Sequence, residues 1–246
     1  MTSNHFFIKK SEAGGPWLCL EGREHHHLSK VARLRCRDEV WLFDEDGSRY
    51  RARIENISRE RTSLRLLEKI EPTERRSKIT LVQALLKAKS MDWLVQKATE
   101  LGLFTLVPVL SERCVVKLED RSAKKIQRWN RIAQEASKQC RGGLVPAILA
   151  PRPLADFLEE GEGDRKLLLT EHHGLPLKDL VRPSQSSERK PPDVLILVGP
   201  EGGWTETEED TALRRGFEPV SLGPNILRAE TASLAAIAIL SHFWDS

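Results

Sequence analysis

Arg228 and Glu230, near the C-terminus, place a fixed cation and a carboxylate at the start of a long apolar segment. A carboxylate so placed can take a proton from a reacting group, and a guanidinium can hold charge building on an oxygen. A structural role also fits, because a carboxylate near a helix N-terminus is favourable by roughly 0.3–1 kcal/mol and a neighbouring Arg can pair with it. Two turns of unusual make-up lie upstream. Gly199-Pro200-Glu201-Gly202-Gly203-Trp204 follows the apolar run Val194–Val198, and Gly223-Pro224-Asn225-Ile226-Leu227 follows Pro219–Leu222. Ligands of open α/β sheets sit beyond the carboxyl ends of strands, so both turns point to one pocket. Neither turn is a Walker loop or a Gly-x-Gly-x-x-Gly fingerprint, which argues against an enzyme built around nucleotide polyphosphate. An Ile-Leu pair inside a polar loop suits a backbone that reads an adenine edge while its side chains wall the ring. For the first turn, a plain reversal between strand and helix is the competing reading.

The elements that must position these residues follow from periodicity. From Lys78 onward strands and helices alternate: strands at Ile79–Leu86, Phe104–Leu110, Leu167–Thr170 and Asp193–Val198, and helices from Ser90 to Leu101, from about Asp120 to Cys140, over Thr205–Arg215 and from Glu230 to Trp244. Such alternation predicts a mostly parallel sheet covered by helices. Ser90 and Thr205 are expected N-caps, with Gly102 closing the first of these helices. The 120–140 helix sets Ile126, Trp129, Ala133 and Ala136 on one face and Lys124, Arg128, Arg131 and Lys138 elsewhere. The last helix is apolar on several sides and is expected to be buried. Residues 1–71 read instead as a small barrel of five short strands with one helix over Glu24–Ala32 and a turn at Asp44–Ser48. The polar stretch 72–77 is the expected linker, and 78–246 the second domain. The loop 182–192 is rich in Ser and Pro and carries no assigned role.

The charge is segregated. Residues 72–150 hold fifteen Lys and Arg against seven Asp and Glu, whereas 151–246 hold ten against seventeen. A basic middle is compatible with a polyanion partner or with a solvated helix surface. Lys30, Arg33, Arg35 and Arg37 form a second basic cluster downstream of His26 and His27, with Lys30 and Arg33 spaced to share a helix face. They suit phosphate contact and base stacking on RNA, or a solvated edge. His25-His26-His27 cannot chelate one metal from a helix, because adjacent side chains diverge. Cys19, Cys36, Cys114 and Cys140 form no Cys-x-x-Cys pair, so buried free thiols in a reducing cytoplasm are expected. No secretory signal or membrane-spanning run is visible.

Several segments, taken in order, resemble the RsmE family of 16S rRNA uridine-N3 methyltransferases, of the SPOUT class. They are His27-Leu28-Ser29-Lys30-Val31-Ala32-Arg33, Phe43-Asp44 with Gly47, Gln96–Gly102, Ser111-Glu112-Arg113-Cys114, Trp129 with Ile132-Ala133, Glu135-Ala136 and Gln139, and the two C-terminal turns continuing into Arg228-Ala229-Glu230-Thr231-Ala232. The resemblance covers essentially the whole chain. It implies an α/β fold: a PUA-like β-barrel followed by a SPOUT domain whose parallel sheet holds a deep trefoil knot, a feature that pattern reading would not propose. It further implies S-adenosylmethionine as methyl donor, a homodimer with interfacial active sites, and 16S rRNA or the small ribosomal subunit as partner. By the same resemblance, Leu169, Thr170, Gly199, Pro200, Glu201, Gly202, Leu222, Gly223, Asn225 and Leu227 hold the cofactor, and Arg228 and Glu230 form the catalytic mouth. His27, Lys30, Arg33, Arg35 and Arg113 are the expected RNA contacts. Asn225 departs from the family, which often carries Arg there. An RNA-binding factor without catalysis is the alternative from another class; it has no need of the Gly-rich turns.

Overall fold

The computed structural model describes residues 5–71, 78–115, 122–140, 144–171, 173–180 and 193–244. The expected linker 72–77, the loop 182–192 and the first residues of the 120–140 helix lie outside these. Two compact units form, one from Met1–Glu74 with Gln134–Val145, the other from Arg75–Ala133 with Pro146–Ser246.

The first unit contains β1 (His5–Phe7), β2 (Trp17–Glu21), α1 (Gly22–His26, continued as a π-type turn over His27–Val31), β3 (Glu39–Phe43), β4 (Arg49–Ile57) and β5 (Arg61–Ile70). The strands form one sheet in the order β1-β3-β4-β5-β2, antiparallel except for the β1–β3 pair. Period-two alternation turns Leu18, Leu20, Val40, Leu42, Ala52, Ile54 and Leu64 inward, onto Phe6 and Leu28. Burying each large side chain contributes about 1.5–3 kcal/mol.

The predicted turn between β3 and β4 is organised by Asp44. Its buried carboxylate accepts from the Asp46 and Ser48 N–H groups at 3.0 and 2.9 Å and from the Tyr50 hydroxyl at 2.8 Å, while Gly47 takes a φ of 88°. Burial, reinforced by the Asp44 charge, pushes the Tyr50 phenol up to about 12. The C-terminal residues of the long helix also belong to this unit, where Lys138 pairs with Glu24 and Glu135.

The structure corrects several expectations. The helix ends at Val31 and Arg33 adopts a φ of 54°, so Lys30 and Arg33 do not share a helix face. Lys138 is buried rather than part of an open basic face, because two carboxylates compensate its charge. The cysteines are free but not buried: Cys19 points outward by strand alternation, Cys36 is exposed, and Cys114 and Cys140 are half-buried.

The second unit contains β6 (Ile79–Ala84), α2 (Ala88–Glu100), β7 (Thr105–Leu110), α3 (Ser122–Cys140, its last turns assigned above), β8 (Ala147–Ile148), β9 (Arg152–Pro153), α4 (Leu154–Glu160), β10 (Arg165–Leu169), β11 (Leu175–Pro176), α5 (Leu177–Leu180), β12 (Val194–Val198), α6 (Glu206–Arg214), β13 (Glu218–Ser221) and α7 (Ala229–Trp244). Its sheet runs β11-β13-β10-β12-β6-β7-β8, with β9 also on β7, and every pair is parallel. The continuous apolar run of β12 is buried at every position, as a strand covered on both faces must be. On one side Leu195, Leu197, Val107 and Val109 pack against Phe157, Ala212 and Phe217; α2 and α7 pack together, with α7 also against β6 and β12.

The helix α7 is buried on one side only. Ser233, Ala236, Ile237 and Leu240 are covered, whereas Leu234, Ala235 and Ile239 are half-buried and Phe243 is 45% exposed. The expected Ser90 cap is also corrected, since the helix begins at Ala88 after Lys87 and leaves the Ser90 hydroxyl free for a long-range partner. Among the described residues, no helix is long and apolar enough to cross a membrane.

Candidate active site

Parallel pairing sets the carboxyl ends of β10, β12 and β13 side by side. Beyond them opens a cavity of about 700 Å³, lined by both C-terminal turns. Leu169, Thr170, Gly199, Pro200, Glu201, Gly202, Leu222, Gly223, Asn225 and Leu227 all lie on its wall, with Arg228 and Glu230 at the start of α7. Asn225 thus stands where the departure from the family pattern faces the cavity.

The first turn is held from two sides. Gly203 adopts a φ of 69°, and its N–H donates to the Pro200 carbonyl at 3.0 Å. At Gly199 an added Cβ would approach the Trp204 indole to 3.2 Å, so glycine lets the ring lie against the backbone. The Trp204 Nε1 is buried and has no protein partner among the described residues. After the turn, Thr205 caps α6 in a reciprocal box: Glu208 N–H donates to Thr205 Oγ1 at 3.2 Å and Thr205 N–H to Glu208 Oε2 at 3.0 Å. The other Glu208 oxygen accepts from the Glu112 N–H at 2.8 Å. Next to it, the Arg113 guanidinium donates to the carbonyls of Gly202 and Trp204. Of the five expected RNA contacts, Arg113 alone belongs to this cavity.

The second turn closes on itself, with Gly223 N–H donating to Ser221 Oγ at 3.2 Å and Gly223 at a φ of 126°. Ile226 is 70% exposed, so it does not form the apolar wall expected of the Ile226-Leu227 pair; Leu227 is the more covered of the two. The segment after β10 forms a further wall. There Thr170 donates to the His173 carbonyl, and the His173 ring lies 3.2 Å from Glu209. Gly174 has a φ of 133°, and a Cβ there would meet the Pro219 carbonyl at 2.8 Å.

A fourth strand end, that of β6, contributes residues that the sequence reading did not select for the site. Lys87, just before α2, and Ser90, in its first turn, reach the cavity: Lys87 N–H donates to Glu201 at 3.3 Å, and Ser90 Oγ donates to Glu230 Oε1 at 3.4 Å. Their place just after a strand was a usable signal. Nothing local marked His173 or Glu209, whereas Trp204 closes the first turn in the sequence itself.

The lining is mixed in charge, with Lys87, Arg113 and Arg228 against Glu171, Glu201, Glu209 and Glu230. A polyphosphate would demand an excess of cations, whereas this balance fits a ligand that carries both signs.

The remaining expected RNA contacts lie in the first unit. Lys30, Arg33 and Arg35 are exposed, and none enters an ion pair among the described residues. His27 is half-buried, its ring 5.5 Å from that of Phe6. The three consecutive histidines face three surroundings, as expected of adjacent positions. His25 is buried between Thr62 and the Arg59 carbonyl, and His26 is exposed. Among the described residues no group of His, Cys, Asp and Glu could hold a metal.

A profile of the RNA methyltransferase domain matches residues 73–241, and one of the RNA methyltransferase PUA domain matches residues 20–67. Fold, site and these matches define an RNA methyltransferase domain preceded by a PUA domain. The chain is 31% identical to the Ribosomal RNA small subunit methyltransferase E of Bacillus subtilis, over 92% of this chain and 90% of that one. It is 32% identical to the protein of that name from Aquifex aeolicus, over 97% and 100% of the two chains. A crystal structure of the Neisseria gonorrhoeae protein, bound to S-adenosyl methionine, superposes with a TM-score of 0.86 at 33% identity, covering 98% and 97%. The chain belongs to the ribosomal RNA small subunit methyltransferase E family.

Proposed function

We propose that this chain transfers a methyl group from S-adenosylmethionine to N3 of a specific uridine in the decoding region of 16S rRNA, near its 3′ end, to form 3-methyluridine during ribosome biogenesis in the cytoplasm. The chain is an S-adenosylmethionine-dependent rRNA methyltransferase by its family. The observation that carries the site is the convergence of both Gly-rich turns, the end of β10 and the α7 mouth on one cavity.

The cavity residues suit this cofactor. Its adenosyl group needs backbone polar groups at close approach, which Gly203 and Gly223, with open space where a Cβ would stand, permit, and its cationic and anionic groups need a lining of both signs. The turns Gly199–Gly203 and Leu222–Leu227, with Leu169 and Thr170, would hold it. When bound, it supplies an electrophilic methyl on sulfonium. The work left to the protein is mainly alignment of the nucleophilic nitrogen with that carbon. Uridine N3 must lose its proton to attack well. Glu230, oriented by the Ser90 hydroxyl, is the base that takes it, and Arg228 holds the charge that builds on the pyrimidine oxygens.

Three further features complete the reading. Lys30, Arg33 and Arg35, which enter no ion pair among the described residues, give the first unit cations for the RNA backbone, with His27 beside them. The half-open apolar side of α7, where Phe243 is 45% exposed, and the equally exposed Trp93 on the neighbouring α2 support a homodimer. The order of the sheet supports the trefoil knot: β12 lies between β6 and β10, both earlier in the chain, so it must enter between strands already placed.

The test is to delete the gene, digest the 16S rRNA and examine the fragments by mass spectrometry. The expected result is one lost methyl on one uridine, restored by the intact gene. An unchanged methylation pattern would remove the proposal and favour a non-catalytic RNA-binding factor.

A further inference from the structure

Gln83 is a polar side chain in an apolar place. It stands at the C-terminal end of β6, fully buried, after a strand whose Ile79, Leu81 and Val82 are core residues. Burial of an amide without partners is unfavourable, and an apolar side chain of equal length would fill the space without that cost. Gln83 is instead fully engaged. The pairing of β6 with β12 ends at Gln83 opposite Val198. The Gln83 amide nitrogen carries the hydrogen bonding one residue further: it lies 3.4 Å from the Val198 carbonyl, 3.2 Å from the Gly199 carbonyl and 3.1 Å from the Ala84 carbonyl. Gly199 is the first residue of the Gly-rich turn. The amide oxygen faces the other way and accepts from the Ser233 hydroxyl at 2.5 Å. Ser233 is also fully buried and stands one turn into α7, four residues after Ala229.

We propose that Gln83 is a positioning residue for methyl transfer: bonded at one end to the Gly199 turn and at the other, through Ser233, to the helix that begins with Arg228 and Glu230, it fixes the spacing between the two halves of the site. The proposal rests on the reading that the cavity holds S-adenosylmethionine. Transfer needs the nitrogen, the methyl carbon and the sulfur in line, and the groups that hold them stand on segments far apart in sequence. A helix moves as a rigid piece, so a bond to its first turn sets the place of its mouth. A displacement of about 1 Å between reacting groups costs on the order of 100-fold in rate.

The test uses the full-length protein in four further forms: Ser233→Ala, Gln83→Met, the double variant, and Gly202→Val in the turn itself. Cofactor affinity is measured by calorimetry, and single-turnover methylation is measured at saturating S-adenosylmethionine and rRNA. Ser233→Ala removes one hydroxyl and leaves the turn held, so affinity should stay within about 2-fold while the rate falls roughly 10–100-fold. Gln83→Met should weaken affinity as well as rate. The double variant should be no slower than Gln83→Met, because both substitutions break one connection. The proposal is overturned if Ser233→Ala and Gln83→Met lower only the melting temperature, with rate and affinity unchanged, or if the two rate losses multiply. Should Gln83→Met not fold, Ser233→Ala decides by its rate. Gly202→Val separates the two readings. If it abolishes cofactor binding while Ser233→Ala and Gln83→Met react normally, the positioning role fails and the cavity reading stands. If it leaves binding intact, the cavity reading fails and takes the positioning role with it.

Discussion

Arg113 donates to the Trp204 carbonyl at 3.0 Å through the same guanidinium nitrogen that reaches the Gly202 carbonyl at 3.1 Å. One cation beyond the end of β7 thereby clasps the turn beyond the end of β12, two strands away. Replacement by Ala removes both bonds at an exposed position and leaves two carbonyls free to hydrate. S-adenosylmethionine affinity of Arg113→Ala is expected to fall about 3–30-fold, or about 0.7–2 kcal/mol, because screening at an exposed position takes the contribution below the roughly 1.5–3 kcal/mol of a hydrogen bond to a charged group. Calorimetry checks this. Unchanged cofactor affinity with weakened rRNA binding would return Arg113 to the role of an RNA contact.

Glu230→Gln keeps the shape of the side chain and its contact with Ser90, but removes the base. Single-turnover methylation should drop by about 10²–10⁴-fold with cofactor affinity retained. Arg228→Ala should lose rate on a similar scale without loss of cofactor binding. Near-normal rates in both variants would leave the pair with capping duties only.

Gly174 lies in a backbone region that L side chains rarely adopt, with φ at 133°, and a Cβ would meet the Pro219 carbonyl at 2.8 Å. Gly174→Ala should destabilise the fold by about 1–3 kcal/mol and displace the segment from Thr170 to His173. Chemical denaturation reads the first effect, and a weakened cofactor affinity reads the second.

Tyr50 is the only tyrosine in the chain, so tyrosinate absorbance reports it directly. Its phenol is raised from 10.0 to about 12, chiefly by burial and then by Asp44. A group raised on folding stabilises the protein below its unfolded pKa and loses that contribution as pH climbs through the folded value. Stability should therefore decline between about pH 10 and pH 12 more steeply in the wild type than in Tyr50→Phe. At neutral pH, Tyr50→Phe should cost about 1.5–3 kcal/mol through the lost bond to a carboxylate. Coincident pH profiles of the two proteins would contradict the assignment.

Most of the secondary elements were legible in the chain alone. Alternation marked β3 and β4 and the Asp44 turn between them; the unbroken apolar run of 194–198 marked a strand covered on both faces; Thr205 and the acidic residues after it marked the start of α6. Each of these is a local preference, set by backbone sterics and by which side of an element meets water. Likewise the order of short motifs sufficed to indicate the family, because each motif is a local constraint. The short helices α4 and α5 were not read from the sequence, and at several other places where prediction missed, a distant partner had intervened. Ser90 gave up a cap to face Glu230, 140 positions on. Lys138 left the basic face because Glu24 and Glu135 neutralise it. One side of α7 stayed open although its composition looked like core. Which strand ends meet was settled only by long-range pairing. Placing β12 between β6 and β10 brings Gln83 to Gly199 and Arg113 to Trp204. The hydrogen bonds that fix such a register form between segments about a hundred residues apart, and no local window of the chain contains both partners.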